Sequence, residues 1–400
     1  MLTQKILAVT YIAFSAMAIT SGTAQPIVQK DQELVARADG LLLQAADQYK
    51  ILRAALPDGK FPKTYFPTTG QHQFSGSEWW CSGFYPGTLL MLYRQTQQAW
   101  LKQEAERMLG LLEKEQHNIT THDLGFMMYN SFGLANEQWP SDHYRQVLIT
   151  SARSLATRFS PVTGCIRSWD SGKDDFLVII DNMMNLELLF RAAEYTGDSS
   201  FYHIAVTHAN TTLRHHFRPD FSSYHVLNYD PHTGKIKLKR TEQGFANESA
   251  WARGQAWGLY GYISAYRYTK DPAYLQQATG IADFLLNHPN MPPDKIPYWD
   301  FNATGIPNAL RDASAGCIMA SALLELCQYV PAEKAALYLS DATTMLRTLS
   351  SSEYFASPGS NGGFLIQHGV GHLPQKSEVD VPLTYGDYYF IEALIRYKDL

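Results

Sequence analysis

The chain has 400 residues, of which 45% are hydrophobic and 18% charged, and its formal net charge is −5. This composition is too apolar for a disordered chain, and the length suffices for a large core without disulfide or metal cross-links. The acidic balance argues against a nucleic-acid binder, which would carry a basic stripe. The 8 Trp, 24 Tyr and 19 Phe residues form a surplus of aromatic rings whose positions have to be explained.

Residues 1–24 have the pattern of a secretory signal peptide. Lys5 precedes an apolar run over residues 6–19, and Gly22 and Ala24 are small residues suited to cleavage. The run is too short to span a bilayer, and no other segment is long and apolar enough. We therefore expect an exported protein, in a bacterium a periplasmic one, without membrane insertion.

Period-3.6 patterning dominates the rest of the chain, whereas period-2 alternation is scarce. The pattern predicts twelve helices, at residues 34–54, 84–97, 99–116, 124–136, 141–159, 181–196, 199–216, 249–269, 272–288, 312–329, 332–350 and 385–397.

The joins between these helices alternate in length. Joins from an even to an odd helix are short and polar, as at residues 195–198, 268–271 and 329–331. Joins from an odd to an even helix are long, except the one before Asp123. Short joins make antiparallel helix hairpins, so the sequence predicts an all-α fold of six hairpins closed into a ring, an (α/α)6 barrel. We expect one catalytic domain over residues 25–400, with even helices inside and long loops at one mouth.

The four cysteines do not form a disulfide framework. Cys317 and Cys327 share one predicted helix, where ten residues hold them about 15 Å apart, too far to bridge. We expect them, with Cys81 and Cys165, to be free thiols. The sequence has no CxxC, no HExxH and no regular acidic loop, so we expect no metal and no cofactor.

Aromatic and acidic residues collect at the mouth end of the even helices. Rings that stack on sugar faces, with a few fixed carboxylates for hydroxyl groups, are typical of a carbohydrate site. The residues concerned are Trp79, Trp80, Phe84, Tyr85, Asp123, Trp169, Asp181, Arg253, Trp257, Asp312 and Asp387.

Asp123 and Asp181 are the candidate catalytic acids, because each stands among rings or Met rather than among surface charges. Each also fits a helix N-cap, the commoner role of Asp at a helix start. A helix dipole lowers a carboxyl pKa, whereas a second carboxylate and an apolar wall raise it. Asp312 and Asp387 occupy similar positions, and we interpret them as structural.

Residues 247–257 form another dense block, in which Arg253 and Trp257 share a helix face. Arg253 either forms a structural pair with an Asp or meets a hydroxyl-rich or anionic ligand, and Trp257 either belongs to the core or stacks on that ligand. His225 and Gln243, on the long loop before this helix, are close enough in sequence to reach the mouth.

These motifs, in this order along the chain, resemble the unsaturated glucuronyl hydrolases, glycoside hydrolase family 88, whose fold is an (α/α)6 barrel. The matching stretches are Trp79–Gly87, His122–Met127, Asp181–Asn185, Ser249–Trp257, Asp312–Ser314 and Tyr385–Phe390.

The resemblance implies an unusual hydrolysis. Polysaccharide lyases leave a C4=C5 unsaturated uronic acid at a non-reducing end, and the family hydrates this vinyl ether. By similarity, Asp181 is the general acid and base that protonates C4 and activates water for C5. Asp123 matches the family's second essential aspartate. The positions expected to bind substrate are Trp80, Phe84, Trp169, His225, Gln243, Arg253 and Trp257.

The same residues are also compatible with three other functions. An unsaturated rhamnogalacturonyl hydrolase would perform the same reaction on pectin fragments, an (α/α)6 epimerase would use histidines, and a non-catalytic sugar-binding protein would need only the rings. The final loop, residues 368–377, does not align with the Ser/Lys-rich pattern of members that prefer sulfated substrates, so it stays outside the predicted site. No obligate protein partner and no nucleic-acid partner is expected.

Overall fold

The computed structural model of the protein describes residues 30–400; the predicted signal peptide therefore lies outside the described residues. Within this range the chain forms twelve α-helices. They are α1 (Gln32–Ala55), α2 (Phe84–Thr96), α3 (Ala99–Leu112), α4 (Leu134–Gln138), α5 (Asp142–Ala156), α6 (Leu186–Thr196), α7 (Ser199–His215), α8 (Ala252–Thr269), α9 (Pro272–Asn287), α10 (Ala313–Leu326), α11 (Ala332–Leu349) and α12 (Thr384–Asp399).

All twelve predicted helices are confirmed in position, but three of them are not α-helical throughout. The fourth is a π-helix over Gly125–Gly133 before α4 begins. The third ends in a 3-10 turn, Glu113–His117, and the sixth begins with one, Ile180–Asn185. The hydrophobic pattern of a sequence does not distinguish 3-10 and π-helices from α-helices. π-helical segments are frequent at functional sites.

The tight joins have a clear local cause. The helices α6 and α8 end on Gly197 (φ 71°) and Lys270 (φ 55°), both left-handed. The next residue in each case, Asp198 or Asp271, accepts a backbone N–H as the N-cap of the following helix. A left-handed C-cap followed at once by an Asp N-cap reverses the chain within a few residues.

Even-numbered helices form the inner ring and odd-numbered helices the outer one. Every residue of α10 is buried, as are most residues of α8 and α12. By contrast α3 and α7 bury one face only. Each inner helix packs on the next, from α2 through the π-helix, α6, α8 and α10 to α12, which returns to α2. This closed ring confirms the (α/α)6 barrel.

Nine strands, which the sequence pattern did not predict, occupy the long joins of residues 30–400. They pair as four small antiparallel sheets, β1–β2, β3–β4, β5–β6–β7 and β8–β9. The strands are β1 (Phe61–Phe66), β2 (Gln71–Ser75), β3 (Phe159–Ser160), β4 (Cys165–Ile166), β5 (Phe176–Ile179), β6 (Val226–Tyr229), β7 (Ile236–Arg240), β8 (Gly369–His372) and β9 (Ser377–Val381). Because every strand lies in an odd-to-even join, the sheets form a rim around the inner-helix N-termini.

Charged side chains fill the opposite end of the ring, at the C-termini of α8, α10 and α12. Arg267 donates two hydrogen bonds of 2.6 Å to Glu325 and also pairs with Glu187. Arg396 adds a hydrogen bond of 2.9 Å to Glu325. Buried charges persist only when they are paired in this way, and the network ties the C-terminal ends of α8, α10 and α12 together.

All four cysteines lie within the described range and are free thiols, as predicted. No helix in residues 30–400 is long and apolar enough to cross a membrane.

Close approach of α2 to the π-helix requires glycine at position 83. A Cβ there would lie 2.2 Å from the carbonyl oxygens of Phe126 and Met127. We expect Gly83→Ala to lower the free energy of unfolding by about 2 kcal/mol, since backbone must shift to admit the methyl group. The measurement is thermal unfolding followed by circular dichroism.

Gly40→Ala is the matched control, because a Cβ at Gly40 on the exposed face of α1 meets nothing within 4 Å. Alanine inside a helix stabilises it by about 0.5–1 kcal/mol relative to glycine, so this variant should unfold at a higher temperature. Equal effects of the two substitutions would contradict the close approach.

Candidate active site

A cavity of about 450 Å³ opens at the mouth of the barrel, where the rim sheets meet the inner helices. Six of the nine predicted site residues line it, namely Trp80, Asp123, Trp169, Asp181, Gln243 and Arg253. The other lining residues are Lys63, Glu78, Trp79, Thr120, Thr121, His122, Phe126, Ile179, Gly371, His372, Gln375, Ser377, Glu378 and Tyr385.

The two candidate acids stand at neighbouring inner-helix starts. Asp181 lies in the 3-10 turn that leads into α6, and Asp123 lies just before the π-helix. Asn185, four residues after Asp181, connects the two segments: its Nδ2 donates to Asp123 Oδ1 (3.4 Å) and its Oδ1 accepts from Phe126 N (2.9 Å). The acids therefore face one cavity from adjacent segments.

Burial dominates the electrostatics of both acids. It raises the pKa of Asp181 to about 7, against the opposing effect of Arg253 and with a further increase from Asp123. It also raises the pKa of Asp123 to about 7, although Thr121 and Asn185 donate hydrogen bonds to that carboxylate. Neither carboxylate caps the helix that it precedes. Desolvation therefore outweighs the helix dipole, and with pKa values of about 7 both acids are partly protonated at neutral pH.

His225 does not line the cavity but lies behind Asp181, and its backbone contacts fix its tautomer. Its Nδ1 accepts hydrogen bonds from the backbone N–H groups of Glu242 and Gln243, at 3.2 and 3.3 Å. Burial lowers its pKa well below the usual value, so the ring is neutral and its proton sits on Nε2. That Nε2 is 3.9 Å from Asp181 Oδ2, and neither atom has a hydrogen-bond partner within residues 30–400.

His122 has the opposite tautomer. Its Nδ1 lies 2.7 Å from the carbonyl oxygen of Ser168, which can only accept, so Nδ1 carries the proton. Burial lowers the pKa of this ring to about 3. The bare Nε2 then lies 3.2 Å from Asp123 Oδ1 but has no hydrogen-bond partner within residues 30–400.

Arg253 forms the structural pair with an Asp that was one of its two predicted roles, and it also lies at the cavity where a ligand could meet it. Its guanidinium pairs with Asp312 at 2.8 Å and donates to the carbonyl oxygens of Val370 and Gly371. It also lines the cavity and lies 4.7 Å from the ring centroid of Trp251. Asp312 in turn accepts from Val370 N at 3.3 Å. The ion pair thus ties α8 and α10 to the hairpin β8–β9.

The aromatic wall is two layers deep. Trp80 and Tyr385 line the cavity with ring centroids 4.9 Å apart, and Phe126 completes this layer. Phe84 and Trp257 are fully buried behind them, each packed on Phe126. The prediction that Phe84 and Trp257 contact substrate directly is therefore corrected: they support the wall.

The hairpin β8–β9 lies against the cavity, although the sequence places residues 368–377 outside the predicted site. It and its turn contribute Gly371, His372, Gln375, Ser377 and Glu378. Gln243 approaches the hairpin as well, with its Nε2 3.5 Å from the carbonyl oxygen of Gly371.

Asp312 and Asp387 have the structural roles that the sequence predicted. Asp312 caps α10 by accepting from Ser314 N. Asp387 accepts from the backbone N–H groups of Leu365 and Ile366 and from the hydroxyl of Tyr49, and it is fully buried away from the cavity.

Sequence reasoning missed several residues that shape the site. His122 and Asn185 were part of recognised motifs but had no assigned role. Lys63 and Glu378 come from strands that were not predicted. The only signal for these strands is the alternation of valine with acidic residues in β9, and it is weak in so short a segment.

Comparisons with known proteins find relatives that are similar in sequence and in structure. No model of a protein family matches the chain. The chain is 49% identical to the unsaturated glucuronyl hydrolase of Formosa agariphila over 324 residues, 80% of each protein. It is 34% identical to the unsaturated chondroitin disaccharide hydrolase of Streptococcus pneumoniae, over 80% of this chain and 82% of that one. A crystal structure of an unsaturated glucuronyl hydrolase specific for heparin superposes with a TM-score of 0.87 at 42% identity, covering 92% of this chain and 98% of that one.

The raised pKa of Asp181 predicts a dependence of stability on pH. An unfolded Asp titrates near pH 3.9, so ionising the buried group costs stability that grows as the pH rises from about 4 to about 7. We expect Asp181→Asn to raise the unfolding temperature more at pH 8 than at pH 5. Asp58→Asn, on an exposed loop, is the control and should show no such difference; a benefit of Asp181→Asn that is equal at both pH values would contradict the assignment.

Proposed function

The chain belongs to the family of unsaturated glucuronyl hydrolases, and we propose that its cavity removes the C4=C5 unsaturated uronate from the non-reducing end of glycosaminoglycan-type oligosaccharides. The observation that carries this proposal is the pair of buried carboxyl groups, Asp123 and Asp181, whose pKa values are raised to about 7 in a cavity lined by rings. An acid that keeps its proton at neutral pH is what protonation of a vinyl ether requires.

Asp181 acts first as the acid in this proposal. Its proton passes to C4, the C4=C5 electron pair forms the new C–H bond, and positive charge develops at C5 and the ring oxygen. The carboxylate left on Asp181 stabilises that charge across the cavity. The same carboxylate then takes a proton from the water that attacks C5. The hemiketal opens and releases the remaining sugar, so that one water is consumed and Asp181 ends protonated.

His225 is placed to stabilise the ionised form of Asp181, whereas Asp123 favours its protonated form. The Nε2–H of His225, 3.9 Å from Asp181 Oδ2, is placed to donate to the carboxylate once its proton has left. Asp123 raises the pKa of Asp181, and, held by Thr121 and Asn185, it is placed to bind sugar hydroxyl groups.

Histidine-based chemistry of the epimerase type fits this site less well. His122 and His225 stand beside the two aspartates, but burial lowers the pKa of His122 to about 3 and that of His225 well below its usual value. Their backbone hydrogen bonds also fix one tautomer each. Neither ring is therefore suited to exchange protons with a substrate near neutral pH.

The direct test is an ultraviolet absorbance assay on purified protein with unsaturated disaccharides from chondroitin, hyaluronan, heparin and pectin. Absorbance should fall as the conjugated C=C is consumed. Loss with the glycosaminoglycan fragments supports the glucuronyl activity, loss with pectin fragments alone supports the rhamnogalacturonyl alternative, and no loss with any fragment would reject hydration.

We expect Asp181→Asn to lower kcat by about 10²–10⁴-fold, because an amide cannot donate the proton to C4 or accept one from water. Asp387→Asn is the matched control: burial raises the pKa of this carboxyl to about 7 as well, but it lies outside the cavity. Its kcat should stay within a few-fold of the native value. Full activity of the Asp181 variant would remove Asp181 from its role.

The proposal that the protein is exported depends on residues 1–24 alone. We propose that these residues direct secretion and are removed. The pattern of Lys5, the apolar run and Ala24 supports cleavage after Ala24. Mass spectrometry of the protein from a periplasmic extract should find Gln25 as the first residue. An intact Met1 on all of the protein would contradict the proposal.

A further inference from the structure

A separate cavity, the outer groove, lies at the edge of the rim, where α5 ends and the hairpin β3–β4 follows. Its volume of about 440 Å³ is within the range of sites that bind small molecules. The residues that give it its character are Ile119, Arg158, Phe159, Arg167, Asp170 and Phe176. None of these six lines the active-site cavity, so the site around Asp123 and Asp181 does not account for the groove.

The outer groove adjoins the active-site cavity along three segments of the chain. Ile119 lines the groove, whereas residues 120–121 line the cavity. Asp170 lines the groove, whereas its neighbour Trp169 lines the cavity. Strand β5 contributes its first residue to the groove and its last residue to the cavity. A sugar chain whose terminus lies in the active-site cavity can therefore extend into the outer groove.

Arg167 supplies an uncompensated positive charge to the outer groove. Its guanidinium lies 4.8 Å from the centroid of the Phe176 ring. Its carbonyl oxygen accepts a hydrogen bond from Arg158, but its guanidinium has no hydrogen-bond or ion-pair partner within residues 30–400. The other two charged groups neutralise each other, because the buried Arg158 pairs with Asp170 at 2.9 Å. Two arginines against one aspartate leave the groove with a net charge of +1, carried by Arg167.

Arg167 lies two residues before Trp169, on the same side of the segment that follows β4. Ser168, between them, is buried and points inward, since its hydroxyl donates to Asn182 at 3.1 Å and accepts from Ile179 N at 2.9 Å. Arg167 and Trp169 are both partly exposed, as expected where side chains alternate between the two sides of an extended segment. At about 3.3 Å per residue, their Cα atoms are about 7 Å apart. The guanidinium is therefore close to the sugars that follow the one in the active-site cavity.

The chemistry of glycosaminoglycan-type chains fits a single cation at this position. Uronate and amino sugar alternate in these chains, so the first carboxylate after the unsaturated uronate is that of the third sugar. A guanidinium binds a carboxylate through two parallel hydrogen bonds. The rings of Phe159 and Phe176 offer an apolar surface for the face of a sugar.

We propose that Arg167 binds the carboxylate of the third sugar, so that the outer groove extends the active site for substrates longer than a disaccharide. This inference rests on the proposed function, because it concerns longer substrates of the same reaction. Arg167 contributes to the binding of these substrates and takes no part in proton transfer.

The experiment compares kcat/KM for the unsaturated disaccharide and the unsaturated tetrasaccharide of hyaluronan, by loss of ultraviolet absorbance. Arg167→Gln should lower kcat/KM for the tetrasaccharide by about tenfold, the effect of losing one charge-assisted contact at a partly solvated site. The loss should come from a higher KM at nearly unchanged kcat. The disaccharide does not reach the outer groove, so its kcat/KM should stay within about twofold of the native value. Arg167→Lys keeps the charge without the planar fork and should give an intermediate loss.

Arg145→Gln is the matched control. It removes one positive charge from α5, the helix that ends at the groove, but Arg145 pairs with Asp142 at 3.5 Å and lines neither cavity. Both substrates should react as with the native protein. The inference is overturned if Arg167→Gln leaves the tetrasaccharide unaffected, and also if it slows both substrates equally, which is the result of a purely structural role. If the native protein consumes neither substrate, the proposed function itself fails, which is a distinct result.

Discussion

The ion pair between Arg253 and Asp312 is the interaction on which the rest of the site depends. Among the groups that oppose the rise in the pKa of Asp181, Arg253 has the largest effect. Its charge, however, is largely neutralised by Asp312 at 2.8 Å. The remaining attraction is too weak to keep Asp181 ionised against burial. The same guanidinium holds the backbone of the hairpin β8–β9, so one ion pair both limits the effect of Arg253 on the pKa of Asp181 and anchors this part of the rim.

The cavity is built from two kinds of structure, the inner helices and the strands of the long joins. The inner helical segments bring Asp123, Asp181 and Arg253 to one cavity, because each residue stands at or near the start of such a segment. The strands in the long joins supply Lys63 and Glu378 at the mouth. Changes in these joins can alter which sugars enter without disturbing the ring that positions the acids. The cavity is thus lined partly by the starts of inner helical segments and partly by strands of the rim.

The sequence predicted the helices well and the rim poorly, for physical reasons. Helices α6 and α8 keep a period-3.6 pattern and are followed by tight joins in which Asp198 and Asp271 cap the next helix, so their positions were predictable. Hairpin β8–β9 is short, and Arg253 binds its backbone carbonyl groups, which leave no signature in the side chains. The two-layer wall shows another limit: Trp80 lines the cavity and Trp257 lies behind it, yet residue type alone does not reveal which side of a wall a ring occupies. The pKa values near 7 were also beyond sequence, since they follow from burial.

The second layer of the aromatic wall has a consequence for how long polymers are treated. Because fully buried side chains such as Phe84 and Trp257 fill the ring behind the cavity, a sugar chain cannot thread through the barrel and must enter and leave by the same mouth. Only a chain terminus can reach Asp181, and both products have to depart before another terminus arrives. The rate on a polymer mixture is therefore governed by the number of chain ends and not by the mass of sugar, which ties this protein to whatever enzyme creates those ends.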